Sequence, residues 1–315
     1  MNQSVPKSPN PVSGAPLAIP EAASPAKSSL WIRALSRIPL ALWYPIARLM
    51  AWCAWKVFPY RRHVVVANLT KAFPEWDDAT RELVIRDYYR GFADMLVEII
   101  HSPRLTSAEL EHRVRLRNPE LVREEVAKGK PVLLCAGHQC NWEWLLLSLS
   151  KLGMPVDAAY KPLVDSWAER EMLALRSRFG ARLIPAPELL GDIIKKRGEP
   201  RVIAMLADQE PVTSERKQWL RFLNRDTAFF LGPEEIARTA RYPALFVKLR
   251  RVARGRYEVE FAPLAAAGEQ LPAGEFTARY ARMVEAQIHE APADWPWSHK
   301  RWKLKKPLYS SSPGN

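Results

Sequence analysis

Pro131–Trp144 reads PVLLCAGHQCNWEW: a short apolar run ending in a histidine, with a glutamate five residues further on. Val132–Gly137 has the length and apolar content of a buried strand. Gln139–Leu149 predicts a helix, because Asn141 and Glu143 are residue types favoured at and just inside a helix start. His138 then falls at a strand-to-helix corner, and Glu143 about one turn into the helix. On one continuous helix this spacing sends the two side chains to divergent faces, since successive residues turn by about 100°. With His138 ahead of the helix, its ring can fold over the first turn and meet the carboxylate. A carboxylate on one imidazole nitrogen fixes the tautomer and raises the basicity of the other. The expectation is a general base, His138, oriented by Glu143 and able to take a proton from a hydroxyl. A cap and a dipole partner are the plainer use of the same residue types.

Working outward, short apolar runs recur at Val114–Leu116, Val156–Tyr160, Arg182–Ile184 and Val202–Ala207. Between them, helices are expected near Pro119–Ala127, Asn141–Leu152, Trp167–Phe179 and Pro187–Lys196. That alternation predicts an α/β fold, a sheet flanked by helices. Ala244–Arg251 and Arg256–Phe261, joined by a basic turn with a glycine, read as a hairpin closing the sheet. Ala273–Glu290 reads as a last helix before a basic tail, and Arg61–Phe73 and Ala79–His101 as amphipathic helices ahead of the sheet. Pro74 separates those two, and Asp77 or Asp78 can cap the second.

The first 29 residues are rich in Pro, Ser and Ala without helical periodicity, and disorder is expected there. Ile38–Phe58 follows, IPLALWYPIARLMAWCAWKVF, mostly apolar and long enough to cross a hydrocarbon core of about 30 Å. Arg48 near its middle, with Pro39 and Pro45, counts against a crossing, and both a spanning helix and one lying in the interface stay open. The expected organisation is a disordered tail (1–29), a membrane-anchor helix (30–58), one catalytic domain (59–307) and a flexible end (308–315). Flanking cations at both ends, Arg33, Arg37, Lys56, Arg61 and Arg62, do not set an orientation. A net charge of +13 calls for an acidic partner, and twelve tryptophans beside so many cations favour a bilayer interface over nucleic acid. No zinc-finger, helix-turn-helix or RNA-binding aromatic pattern occurs. Cys53, Cys135 and Cys140 are too few and too apolar in setting for a disulfide framework. Six histidines without ligand spacing leave no metal motif.

Beyond the opening stretch, YKP (Tyr160–Pro162), RSRFG (Arg176–Gly180), ADQEP (Ala207–Pro211) and PWSHKRWKLKKP (Pro296–Pro307) follow in order. NLTKAFPEW lies upstream within Arg61–Glu98. Together these segments, over roughly residues 30–307, resemble the bacterial lipid A biosynthesis acyltransferases, late-acting relatives of the lysophospholipid acyltransferases. The resemblance implies a glycerolipid acyltransferase-like mixed sheet and a cytoplasmic-face enzyme at the bacterial inner membrane. It implies an acyl-carrier-protein or acyl-CoA thioester as co-substrate, no cofactor, and an anionic glycolipid acceptor. His138 and Glu143 match the family's HX4E element. Lys161, Arg176, Asp208 and Gln209, together with Asn141, fall in segments associated with substrate, and Arg178 competes with Arg176 for the site. Part of the tail, Trp297 to Pro307, is expected to close the site.

From the residues alone, Asp208 can accept a bond from bound substrate, orient a basic neighbour, or simply cap a turn. A guanidinium at Arg176 can hold phosphate or a developing oxyanion. Phe222–Arg225 and Phe229–Gly232 suit an acyl groove, a membrane contact or core packing equally well. The cations of Lys248–Arg256 and Lys300–Lys306, the latter interleaved with Trp295, Trp297 and Trp302, suit anionic headgroups or a solvated face. Cys140 and Ser148 are the competing nucleophiles, and no G-x-S-x-G elbow occurs. Relatives often carry glycine where Cys140 stands, which implies a need for a small residue. The expected reaction is O-acyl transfer to a hydroxyl of a lipid A precursor. The alternatives are another lipid acceptor, such as a lysophospholipid, ornithine lipid or glycolipid, a catalytically silent membrane scaffold, or a Cys140 hydrolase.

Overall fold

A computed structural model describes residues 28–213 and 216–306. The expected disordered tail (1–29) lies almost wholly outside the described residues, and the flexible end (308–315) wholly so. Four helices come first: α1 (Leu30–Leu35), α2 (Leu40–Trp52), α3 (Arg62–Ala72) and α4 (Asp78–His101). Asp77 caps α4, its Oδ1 accepting the Thr80 N–H at 2.8 Å. Then α5 (Ser107–Arg113) leads into β1 (Val114–Leu116), followed by α6 (Glu120–Ala127), β2 (Val132–Ala136), α7 (Trp142–Leu149) and β3 (Val156–Tyr160). The alternation continues through α8 (Ser166–Arg176), β4 (Arg182–Pro185), α9 (Leu189–Lys195) and β5 (Val202–Leu206). A separate hairpin, β6 (Lys217–Phe222) and β7 (Arg225–Phe230), precedes α10 (Gly232–Ala240), the long hairpin β8 (Ala244–Ala253) and β9 (Arg256–Ala265), and α11 (Glu275–Glu290).

The main sheet runs β1-β9-β8-β2-β5-β3-β4. β2 pairs parallel with β8 on one side and β5 on the other, while β8 and β9 are antiparallel, so the sheet is mixed. Every residue of β2 is buried, as a central strand covered on both faces must be. Its apolar run VLLCA has no polar alternation for that reason. The carboxyl ends of β2 and β5 are tied by α11. The Tyr280 hydroxyl donates to the Ala136 carbonyl at 2.8 Å and accepts the Ala207 N–H at 3.2 Å.

The segment expected to anchor the chain breaks up. Pro39 starts α2, which is 13 residues long, and a π-helical turn, Cys53–Val57, ends it. At 1.5 Å per residue α2 reaches about 20 Å, short of the roughly 30 Å hydrocarbon core. No helix of the described residues is long and apolar enough to cross a membrane, and the membrane-anchor helix over 30–58 is not supported. Leu40, Trp43, Ala47 and Ala51 are buried on one side of α2, while Leu42, Ile46, Leu49 and Met50 are exposed on the other. The high apolar content that suggested a crossing thus serves two faces of one short helix.

Candidate active site

In the register of the parallel pair, Ala136 on β2 faces Leu206 on β5. Two residues beyond each lie His138 and Asp208, so the two loops leave the sheet side by side. His138 Nδ1 stands 2.5 Å from Asp208 Oδ1, and the His138 backbone N–H donates to Oδ2 at 2.9 Å. An ionised carboxylate only accepts, so the Nδ1 proton points at Asp208 and the Nε2 lone pair is left outward. Among the described residues Nε2 has no hydrogen-bond partner. The His138 side chain keeps 14% of its surface open, whereas Asp208 is fully buried.

Burial alone pushes the Asp208 carboxyl upward. The charge and hydrogen bonds of His138, with the Trp295 indole, more than offset it and hold the pKa at about 2. Trp295 Nε1 donates to Oδ2 at 2.9 Å, and Arg301 Nε donates to the Asp208 carbonyl at 2.6 Å. The C-terminal segment thus lies over the site. Trp295, Trp297 and Arg301 are buried, which overturns the headgroup-contact reading of these tryptophans. His299, also in this segment, is pushed down to about 4, first by burial and then by the charge of His138.

Glu143 does not orient the imidazole. Its carboxylate is bonded to Arg176 through two parallel bonds, Nε at 2.8 Å and Nη2 at 2.6 Å, and also accepts the Trp142 indole N–H at 3.1 Å. Glu143 sits inside α7 and faces α8, where Arg176 lies, whereas the β2–β5 register already delivers a carboxylate to Nδ1. Arg176 is the arginine brought to this corner. Arg178 turns away, donating to the Leu105 carbonyl at 2.9 Å and standing over the Phe179 ring.

The remaining expected contacts divide. Lys161 and Gln209 are exposed just past the carboxyl ends of β3 and β5, in the same layer as His138. Asn141 is fully buried and unavailable to substrate: its Oδ1 caps α7 through Trp144 N–H at 3.0 Å. Its Nδ2 donates to Glu98 Oε2 at 2.7 Å. Asp208 is likewise sealed from substrate. Glu98, which sequence reasoning missed, is buried and also accepts the hydroxyls of Tyr257 at 2.7 Å and Tyr44 at 3.2 Å. Burial raises its pKa, with the Asn141 and Tyr257 bonds opposing. Phe222 and Phe229 are buried and meet edge to face at 5.1 Å, so that stretch is core packing. Cys140 is buried and its thiol is driven up by burial, which removes it as a nucleophile.

A mixed α/β sheet carrying an imidazole–carboxylate pair at the carboxyl ends of adjacent parallel strands defines an acid–base site of the kind found where such sheets open. The chain belongs to the bacterial lipid A biosynthesis acyltransferase family, whose model matches residues 29–304. Membership makes it an acyltransferase, and the family implies a lipid A-type acceptor. No curated protein matches it significantly.

Proposed function

We propose that the chain transfers a fatty acyl group from an acyl-carrier-protein thioester to a hydroxyl of a lipid A precursor, with His138 as general base held by Asp208. The observation that carries this is the His138 Nδ1–Asp208 contact of 2.5 Å, which leaves Nε2 as the basic nitrogen at an open corner. Nε2 takes the proton of the acceptor hydroxyl as its oxygen attacks the thioester carbonyl. The tetrahedral intermediate collapses with loss of the carrier thiolate, which recovers that proton from His138; ester and thiol are the products. The N–H groups of Trp142 and Glu143, which have no acceptor among the described residues, are suited to the oxyanion. Arg176 lies at the same corner with its charge paired to Glu143. Lys161 is suited to a phosphate of the acceptor. The bacterial inner membrane is the proposed setting, with the exposed face of α2 lying in the interface of its cytoplasmic leaflet.

His138→Ala is expected to keep the fold and lower turnover at least about 10²-fold. The measurement is acyl transfer from acyl carrier protein to a tetra- or penta-acylated lipid A precursor, followed by mass spectrometry. Undiminished turnover in this variant rules the mechanism out.

A further inference from the structure

A cavity of about 360 Å³ lies between α2, α4 and the turn of the β8–β9 hairpin, and its lining does not include His138. Its wall carries four guanidinium groups, Arg48, Arg90, Arg251 and Arg254, and three carboxylates, Asp87, Asp94 and Asp294. Three pairs form. Arg254 grips Asp94 at 2.5 and 2.9 Å, Arg251 Nε meets Asp294 at 3.0 Å, and Arg90 meets Asp87 at 3.2 Å. Arg48 has no partner among the described residues and is exposed. Asp87 is shared with Arg86, whose Nε donates to it at 3.1 Å, so the guanidinium groups at the pocket outnumber its carboxylates. Each paired guanidinium also keeps N–H donors beyond those its carboxylate takes.

The position of the pocket narrows the ligand. Arg48 stands on α2 itself, flanking the exposed row Leu42, Ile46, Leu49 and Met50. The hairpin turn is clamped to the same helix, with Arg254 Nη2 donating to the Tyr44 carbonyl at 2.8 Å. An apolar face beside a guanidinium pocket matches the boundary between acyl chains and headgroups. The planar forks of arginine suit phosphate, and a phosphodiester brings the negative charge that an excess of guanidinium groups calls for. The volume suits a small headgroup rather than a bare ion.

We propose that this pocket seats the monoanionic phosphodiester headgroup of a bilayer phospholipid, a docking site separate from the one that holds the reacting lipid. It rests on the reading of the protein as an enzyme of a lipid surface, but not on its acyl-transfer chemistry. The test is equilibrium binding of the full chain to vesicles of phosphatidylcholine with and without phosphatidylglycerol, with no acyl donor present. Arg48→Ala combined with Arg90→Ala is expected to weaken binding to the phosphatidylglycerol vesicles at least about 10-fold, roughly what two interfacial cations contribute. Binding to pure phosphatidylcholine is expected to stay unchanged, and circular dichroism to match wild type. Lys128→Ala with Lys130→Ala removes the same charge at the opposite end of β2 and is expected to cost less than about 3-fold. Equal losses in the two double variants mean diffuse attraction and overturn the pocket. So does an absence of preference for phosphatidylglycerol. Inorganic phosphate that binds the wild type but not the Arg48/Arg90 variant, with vesicle affinity unchanged, gives the pocket to a soluble anion and overturns the lipid assignment. Because turnover is not read, a failed acyl-transfer mechanism and a failed docking site give different results.

Discussion

At the scale of single residues, the site turns on which carboxylate meets which base. Asp208 accepts from His138 Nδ1, and Asp208→Asn replaces one acceptor oxygen by an amide that can donate, which favours the wrong tautomer. Turnover is expected to fall about 10²–10⁴-fold with the fold retained, since a base with its proton on the wrong nitrogen cannot take another. Steady-state acyl transfer read beside circular dichroism checks this, and a loss under threefold sinks it. Glu143→Gln acts differently, because it strips a charge from Arg176 in a largely buried pair; its first effect is expected in stability, about 3 kcal/mol. A Glu143→Gln protein with wild-type stability and no turnover returns that carboxylate to the chemistry. Cys140 occupies a left-handed backbone position, φ 48°, where glycine is at ease and other residues are strained. Its buried thiol has no part in the proposed reaction, so Cys140→Ala is expected to turn over within about twofold of wild type, against a loss of at least about 10²-fold if an acyl-enzyme forms.

Among the elements, α11 joins the strands that carry the site. Tyr280 bridges Ala136 on β2 and Ala207 just past β5, and both partners are buried backbone groups. Tyr280→Phe removes both of these bonds, a loss of about 2 kcal/mol in urea denaturation. An unchanged midpoint shows that the hydroxyl does not tie the strands. The elements themselves were largely legible. Val132–Ala136 and Val156–Tyr160 stand where their apolar runs placed them, because a buried parallel strand and its turns leave a local pattern. The hairpin β6–β7 was not recognised as strands. Lys217–Phe222 is polar and apolar without clean alternation, since it belongs to a two-stranded sheet outside the main one. For α2 the composition was read correctly and its use was not: hydropathy counts apolar residues but not the two faces they divide between.

Across the whole molecule, the strand order decided what local reading could not. Nothing in the local sequence says that β5 lies beside β2, and only that neighbourhood brings Asp208 to His138 across 70 residues. The HX4E spacing offered Glu143 as the nearer carboxylate along the chain, and proximity in sequence was the wrong guide. The basic tail was legible as a covering segment but not as a buried one. Trp295 and Arg301 join it to the two ends of Asp208, side chain and carbonyl, so this one residue holds β2, β5 and the tail together. That arrangement predicts an acid transition. Asp208 titrates near the ordinary aspartate value of 3.8 when unfolded and at about 2 when folded. A carboxyl depressed by folding stabilises the native state above its unfolded pKa, and the contribution is lost as pH falls through the folded one. The window is therefore about pH 4 down to about pH 2, and the shift corresponds to about 2 kcal/mol. Urea midpoints followed from about pH 5 to about pH 2 are expected to fall more steeply for wild type than for Asp208→Asn, which has no carboxyl to protonate. Parallel curves for the two proteins mean that the Asp208 charge does not hold the tail and the sheet together.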